Sequence, residues 1–290
     1  MEGKAYCHGA ATIINGIPLG LGAAFGIALR TEADVLLTEK PGDFEVIIEG
    51  DEKENPKLAE NCVYLVLKEF GLETKYGAKI TTRSDIPISR GLKSSSAAAN
   101  AIVLATHKAL DKKYSDMKII NLGIEASIMA RVTITGAFDD ACATYFGGVV
   151  VTDNLIREIL NQYQIEEDFD VIIHVPDKKI RKSDVDIQKL KGIRETLKMA
   201  HHLALKGNFQ KAISINGMAY GKAMGLNTEI ITRALDAGAL CAGISGTGPA
   251  TVILAEHEKK EVICAVIGSK EQVICTAINR KKADLLRISP

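Results

Sequence analysis

Residues 77 to 110 leave the chain little choice: a strand must stop and a helix must start on either side of Pro87 to Ala99, PISRGLKSSSAAA. Pro87 fixes its own φ and pushes Ile86 toward extended backbone, so the strand KITTRSDI ends there, while Gly91 can take positive φ and turn the loop sharply. Ser94, Ser95 and Ser96 are good residues to begin a helix, and Ala97 to Leu110 (AAANAIVLATHKAL) carries apolar residues at helical spacing. The first N–H groups of that helix lack intrahelical partners and point back into the loop. Together with the partial positive charge of the helix start and Lys93, they suit a bound anion, above all a polyphosphate. The plainer alternative is a helix capped by its serines and nothing more.

Two further segments carry chemistry. Gly136 to Gly148, GAFDDACATYFGG, sets two adjacent carboxylates, Asp139 and Asp140, among small residues ahead of a Gly-Gly turn. A buried aspartate there requires a cation or a hydrogen-bond donor to support its charge; an N-cap role for Asp139 or Asp140 is the competing reading. Gly243 to Thr251, GISGTGPAT, is a glycine-rich loop between two short apolar strands, able either to meet a ligand or simply to turn tightly. No G-x-x-x-x-G-K-[ST] occurs, so the usual P-loop route to ATP is excluded.

Composition narrows the class. A chain of 290 residues, 47% of them hydrophobic, can bury a large core and exceeds the size at which one core commonly divides into two. Basic and acidic side chains balance at 36 each with no long basic tract, which points away from nucleic acid or an anionic membrane and toward a small solute. The six cysteines form no C-x-x-C pair and sit mostly in apolar surroundings, as buried free thiols of a reducing compartment do. Gly9 to Leu29 is uncharged over a bilayer-spanning length, but its five glycines, Pro18 and Asn15 fit two buried strands joined by a turn at 15–18. A cytoplasmic protein is expected.

Along the chain the pattern predicts strands near 3–14, 20–29, 32–39 and 44–49, a helix over 56–70 ended by Gly71, a strand over 77–84 and helices over 95–110 and 116–131. Strands near 148–153, 157–163 and 170–175 follow, then helices near 187–206, 208–223 and 228–237, strands near 239–244 and 250–255, a short helix and a last strand near 271–279. Both halves read as α+β, and the change of pattern places a boundary between 1–153 and 154–290. His201 and His202 are adjacent on a helix, the wrong arrangement for joint metal binding, and His8 reads as a satisfied core histidine, with reach to an acceptor site as the alternative. Arg90 and Arg131 are both candidates for a substrate carboxylate.

Taken together, the three segments resemble the GHMP kinases, in order and in spacing over the whole chain. Pro87-x-x-x-Gly91-Leu92-x-Ser94-Ser95 is similar to that superfamily's phosphate-binding motif, with Lys93 where glycine is common and Ser96 where alanine is usual. The form GLKSSSA, the compact N-terminus and the length look most like the archaeal type of shikimate kinase. That resemblance implies an N-terminal α+β domain carrying the phosphate loop, a C-terminal ferredoxin-like α+β domain and a site between them. It implies ATP-dependent phosphorylation of shikimate in chorismate and aromatic amino acid biosynthesis. ATP would be bound by Pro87, Ile88, Ser89, Arg90, Gly91, Leu92, Lys93, Ser94, Ser95, Ser96 and Ala97, and the third loop would contribute Gly246, Thr247 and Gly248. By the same resemblance Asp139 is the catalytic aspartate, Asp140 lies close to the site, and Mg²⁺ is held by Ser95 and Glu125. A homoserine kinase, suggested by GTGPAT, and a non-catalytic sensor on the same fold are the rivals.

Overall fold

The computed structural model describes residues 1–51, 54–133, 136–177, 180, 185–268 and 272–286. The first half builds β1 (Glu2–Ile14), β2 (Leu21–Thr38), β3 (Phe44–Ile48), α1 (Lys57–Glu69), β4 (Gly77–Ser84), α2 (Ser94–Ala109), α3 (Asp116–Met129), α4 (Phe138–Phe146) and β5 (Val149–Asp153). There follow β6 (Glu158–Tyr163), β7 (Asp170–Val175), a 3-10 segment over Ile187–Ile193, α5 (Arg194–Leu205), α6 (Phe209–Met224) and α7 (Glu229–Asp236). The chain ends through β8 (Cys241–Ile244), β9 (Thr251–Ala255), α8 (Lys260–Ile267), β10 (Gln272–Ala277) and β11 (Asp284–Leu285).

Segment 9–29 forms two strands and their turn, as its glycines and Pro18 required, and no helix among the described residues is long and apolar enough to cross a membrane. Where two strands are predicted over 20–29 and 32–39, the structure has one, β2. The charged run Arg30-Thr31-Glu32 marks a change of surroundings instead of a turn. Before it β2 lies between β1 and β5 and is buried on both faces; after it β2 lies between β1 and β4, and its residues alternate between core and surface. Arg30 and Glu32 then pair on the outer face at 2.5 Å. The predicted helix over 187–206 also divides, into a 3-10 segment and α5.

The larger sheet runs β11-β1-β2-β4-β3, with β5 on the early part of β2 and β6 on β5. Among the described residues only β3 and β4 run parallel. The smaller sheet is antiparallel in the order β10-β7-β9-β8. Its chain sequence, strand, helices, two strands, helix, strand, is the ferredoxin-like arrangement. The division at 153/154 falls between β5 and β6, two bonded strands, and β11 returns from the far end of the chain to β1. One apolar core runs from Ala5 and Phe25 under the larger sheet to Val171, Ile213 and Leu254 under the smaller, and a second core fills the space beneath α7 and α8.

Candidate active site

A cleft of about 570 Å³ opens where the turn after β1, the head of α2, the head of α4 and the β8–β9 loop meet. α2 starts without a side-chain cap. Lys93 occupies the N-cap position in the left-handed region, at φ 65°, and the carbonyl of Lys93 accepts from Ala97. The serines are therefore the first helical residues, and none of their hydroxyls is spent on capping. That removes the plainer alternative. The N–H groups of Ser94, Ser95 and Ser96 are left for a ligand, and Ser94 and Ser95 line the cleft.

The left-handed turn at Lys93 sends its side chain inward. Its Nζ lies 2.8 Å from Asp140 Oδ1, with both side chains almost wholly buried. Asp139 and Asp140 stand in the first turn of α4, whose N-cap is Ala137 in the left-handed region, so neither aspartate is an N-cap. Sequence patterning leaves this nine-residue helix out, because its start carries no capping side chain and its length is short. Asp139 is held by Asn154: Asn154 Nδ2 donates to Asp139 Oδ1 at 2.8 Å, and the Asp139 N–H donates to Asn154 Oδ1 at 3.0 Å. Burial, then the neighbouring Asp140, push the Asp139 carboxyl up to about 7, against the opposing pull of Lys93 and Asn154.

The third loop closes the other wall. Ser245 Oγ accepts from the Thr12 N–H at 3.0 Å and donates to the Gly91 carbonyl at 2.7 Å. Gly91, at φ +87°, lies so close to this loop that a Cβ would come within 2.0 Å of the Ser245 carbonyl oxygen. The need for glycine here comes from the protein's own backbone. The Gly246 N–H donates to Thr12 Oγ1 on β1 and the Gly248 N–H to the Ser245 carbonyl within the loop, so both donors are taken up by the protein itself. The contribution expected from Gly246 and Gly248 N–H groups is thus made inside the fold, while Thr247 lines the cleft. Asn15 ties the turn after β1 to the loop, donating to the Gly246 carbonyl at 2.8 Å.

Of the residues singled out from the sequence, Ile88, Ser89, Gly91, Lys93, Ser94, Ser95, Asp139, Asp140, Gly246 and Thr247 line the cleft. Leu92 and Ala97 are core residues that hold the loop down. Pro87, Arg90, Ser96 and Gly248 stay off the cleft wall, and the Arg90 carbonyl accepts from Ala250 of the third loop. Glu125 is not brought to the cleft. It is half exposed on α3 and pairs with Arg157 at 2.7 Å, and its neighbours Ile128 and Met129 are exposed as well. Its cationic neighbour is this guanidinium and not a metal ion. Arg131, not Arg90, lines the cleft. His201 is buried and His202 exposed, as their adjacency requires; His8 is half-buried instead of a core residue, and lies outside the cleft lining. Cys7, Cys62, Cys142 and Cys241 are buried free thiols, but Cys275 is exposed.

Sequence reading misses Thr12, Asn15, Asn154 and Ser245. One signal was available: an uncharged polar side chain inside an apolar strand, as in ATIIN, needs a partner when buried.

A profile of the GHMP kinases N terminal domain matches residues 57–148. The chain is 44% identical to the shikimate kinase of Methanosarcina mazei over 290 residues, covering 98% of this chain and 96% of that protein. It is 41% identical to the shikimate kinase of Methanococcoides burtonii, covering 96% of each chain. Among solved structures, the homoserine kinase of Cytophaga hutchinsonii superposes with a TM-score of 0.77 at 17% identity, covering 98% of this chain and 97% of that one.

Proposed function

The chain belongs to the shikimate kinases of the GHMP superfamily, and we propose that the cleft described above is where it transfers the γ-phosphoryl group of ATP to a hydroxyl of shikimate. The observation that carries the substrate is the 41% and 44% identity to shikimate kinases over nearly the whole chain. Homoserine kinase, similar at 17%, shares the fold alone. A buried pair of aspartates beside an ammonium group at a helix start suits a working kinase better than a sensor.

In this reading the head of α2 receives the phosphates. The N–H groups of Ser94, Ser95 and Ser96 and the hydroxyls of Ser94 and Ser95 meet phosphate oxygens, and the helix start favours the negative charge. Lys93, held by Asp140, supplies a fixed positive charge at the same place. Asp139, ionised, accepts the proton of the attacking hydroxyl, and its attachment to Asn154 keeps it in one orientation. Thr247 and Arg131 are polar groups of the same cleft available to the substrates.

The residues present fit a hard divalent cation. Two carboxylates against one ammonium leave the buried trio negative, and Ser95 offers a hydroxyl in the same cleft. We assign Ser95 as the group that would hold Mg²⁺ with the triphosphate, in place of the Ser95 and Glu125 set expected from resemblance, and keep Asp139 for the proton. Bound Mg²⁺ neutralises the triphosphate and orients it for transfer. The four buried free thiols fit a cytoplasmic setting.

A coupled ADP-release assay offering shikimate, homoserine, mevalonate and galactose in parallel tests the substrate. Shikimate turns over efficiently, and analogues that leave the site's polar groups unpaired fall behind by a factor of ~10⁴. Turnover of homoserine with none of shikimate would overturn the assignment.

A further inference from the structure

We infer that Asn154 is the positioning residue of the reaction: it fixes the carboxylate of Asp139 in one rotamer and keeps it ionised, leaving Oδ2 to meet the acceptor hydroxyl. The inference rests on reading Asp139 as the proton acceptor. Asn154 follows directly on β5 and is buried, and its N–H donates to the Gly20 carbonyl at 2.7 Å. Its backbone is thereby pinned to the turn before β2.

The orientation of the amide is decided by its neighbours. Asn154 Oδ1 accepts from the Thr152 hydroxyl at 2.7 Å and from the Asp139 N–H at 3.0 Å. The Asp139 N–H can only donate, so this end is the carbonyl oxygen and the other end is the NH₂ group that donates to Asp139 Oδ1 at 2.8 Å. A donor aimed at a carboxylate favours its charged form.

Two glycines clear the space. A Cβ on Gly16 would come within 2.5 Å of Asn154 Nδ2, and one on Gly22 within 2.5 Å of Asp139 Oδ2. The amide and carboxylate thus sit in a slot between the turn after β1 and the start of β2. The other titratable groups acting on this carboxylate or feeling its charge are Asp140 and Cys142 on α4 and Lys93 at the head of α2. Asp140 and burial disfavour ionisation of Asp139. Lys93 is already engaged with Asp140, so the neutral donors to Asp139 are the Asn154 amide and the Asp140 backbone N–H, and of these only the amide is a side chain.

The test compares Asn154→Ala, Thr152→Val and Asp139→Asn on the full-length enzyme, following kcat, KM for MgATP and the pH profile of kcat/KM. Asn154→Ala lowers kcat about tenfold or more, leaves KM for MgATP within about twofold, and moves the acid limb up by about one pH unit. Thr152→Val keeps the amide but removes the hydroxyl that orients it, and moves the limb the same way by less. It also carries the test should Asn154→Ala fail to fold. A fall in kcat with the acid limb unmoved makes Asn154 merely structural and overturns the inference, as does an unchanged kcat. Asp139→Asn separates the two readings. If it retains both kcat and the acid limb, the assignment of Asp139 as base fails first. If it abolishes them while Asn154→Ala and Thr152→Val leave the limb in place, only the role of Asn154 fails.

Discussion

Asp139 answers to two opposed demands, burial and charge. Its carboxyl is pushed up to about 7 by burial and by Asp140, which puts its ionisation in the range where a general base works best. A base acts in its ionised form, so kcat/KM rises with pH through about 7 and levels above it. Asp139→Asn should lower kcat by on the order of 10²–10⁴ with little change in KM for ATP, measured at saturating shikimate. Stability responds in the opposite sense. The folded value lies above the ordinary 3.8, so the folded protein holds this proton more tightly than the unfolded chain, and the associated stability is lost as pH rises through about 7. Asp139→Asn should therefore raise the thermal midpoint more at pH 8 than at pH 4. An equal shift at both values would contradict the raised ionisation. At this scale the sequence exposes the groups that bear charge, since Asp139, Asp140 and Lys93 stand out among small and apolar neighbours. Their neutral partners stay hidden: Asn154 lies 15 residues from Asp139 and reads only as a change of pattern between halves.

The elements that place these groups were legible wherever local chemistry sets their ends. β4 covers the predicted 77–84, stopping two residues before Ile86, where Pro87 predicts its end, and α1 ends at Gly71 with φ +66°. α4 and the unbroken β2 escape the same reading, because one begins on an uncapped left-handed alanine and the other is held by strands paired from distant segments. The phosphate loop shows how an element-scale constraint can be mistaken for a ligand constraint. Gly91→Ala has to fail through the fold: a Cβ at φ +87°, 2.0 Å from the Ser245 carbonyl oxygen, forces the two loops apart. Its denaturation midpoint should fall along with its use of nucleotide. Ser95→Ala removes a hydroxyl that caps nothing and should raise KM for MgATP at an unchanged midpoint. Normal kinetics for Ser95→Ala would leave the serine run without a role in nucleotide binding.

The walls of the cleft come from segments as far apart as Thr12 and Thr247, yet they belong to one body. A change of pattern near 154 does predict two α+β halves, and two sheets are present, but the larger sheet takes β6 and β11 from the second half. Such pairings are invisible to local pattern, since β11 is two residues long and β6 is fixed by β5. One core runs beneath both sheets, and hydrogen bonds through Ser245, Gly246 and Ala250 join the third loop to β1 and the phosphate loop. Opening this cleft by parting the two loops would break those bonds. Ser245→Ala is the test of this joint. It leaves the Thr12 N–H and the Gly91 carbonyl without their partner, at a cost of roughly 1–3 kcal/mol for each buried group left unpaired. Because the halves share a core, the variant should still unfold in a single transition, shifted to lower denaturant, and its KM for MgATP should rise as the two loops separate. Two resolved transitions in the wild-type chain would show instead that the shared core does not bind the halves together. A raised KM at an unshifted midpoint would show that Ser245 acts on the nucleotide directly.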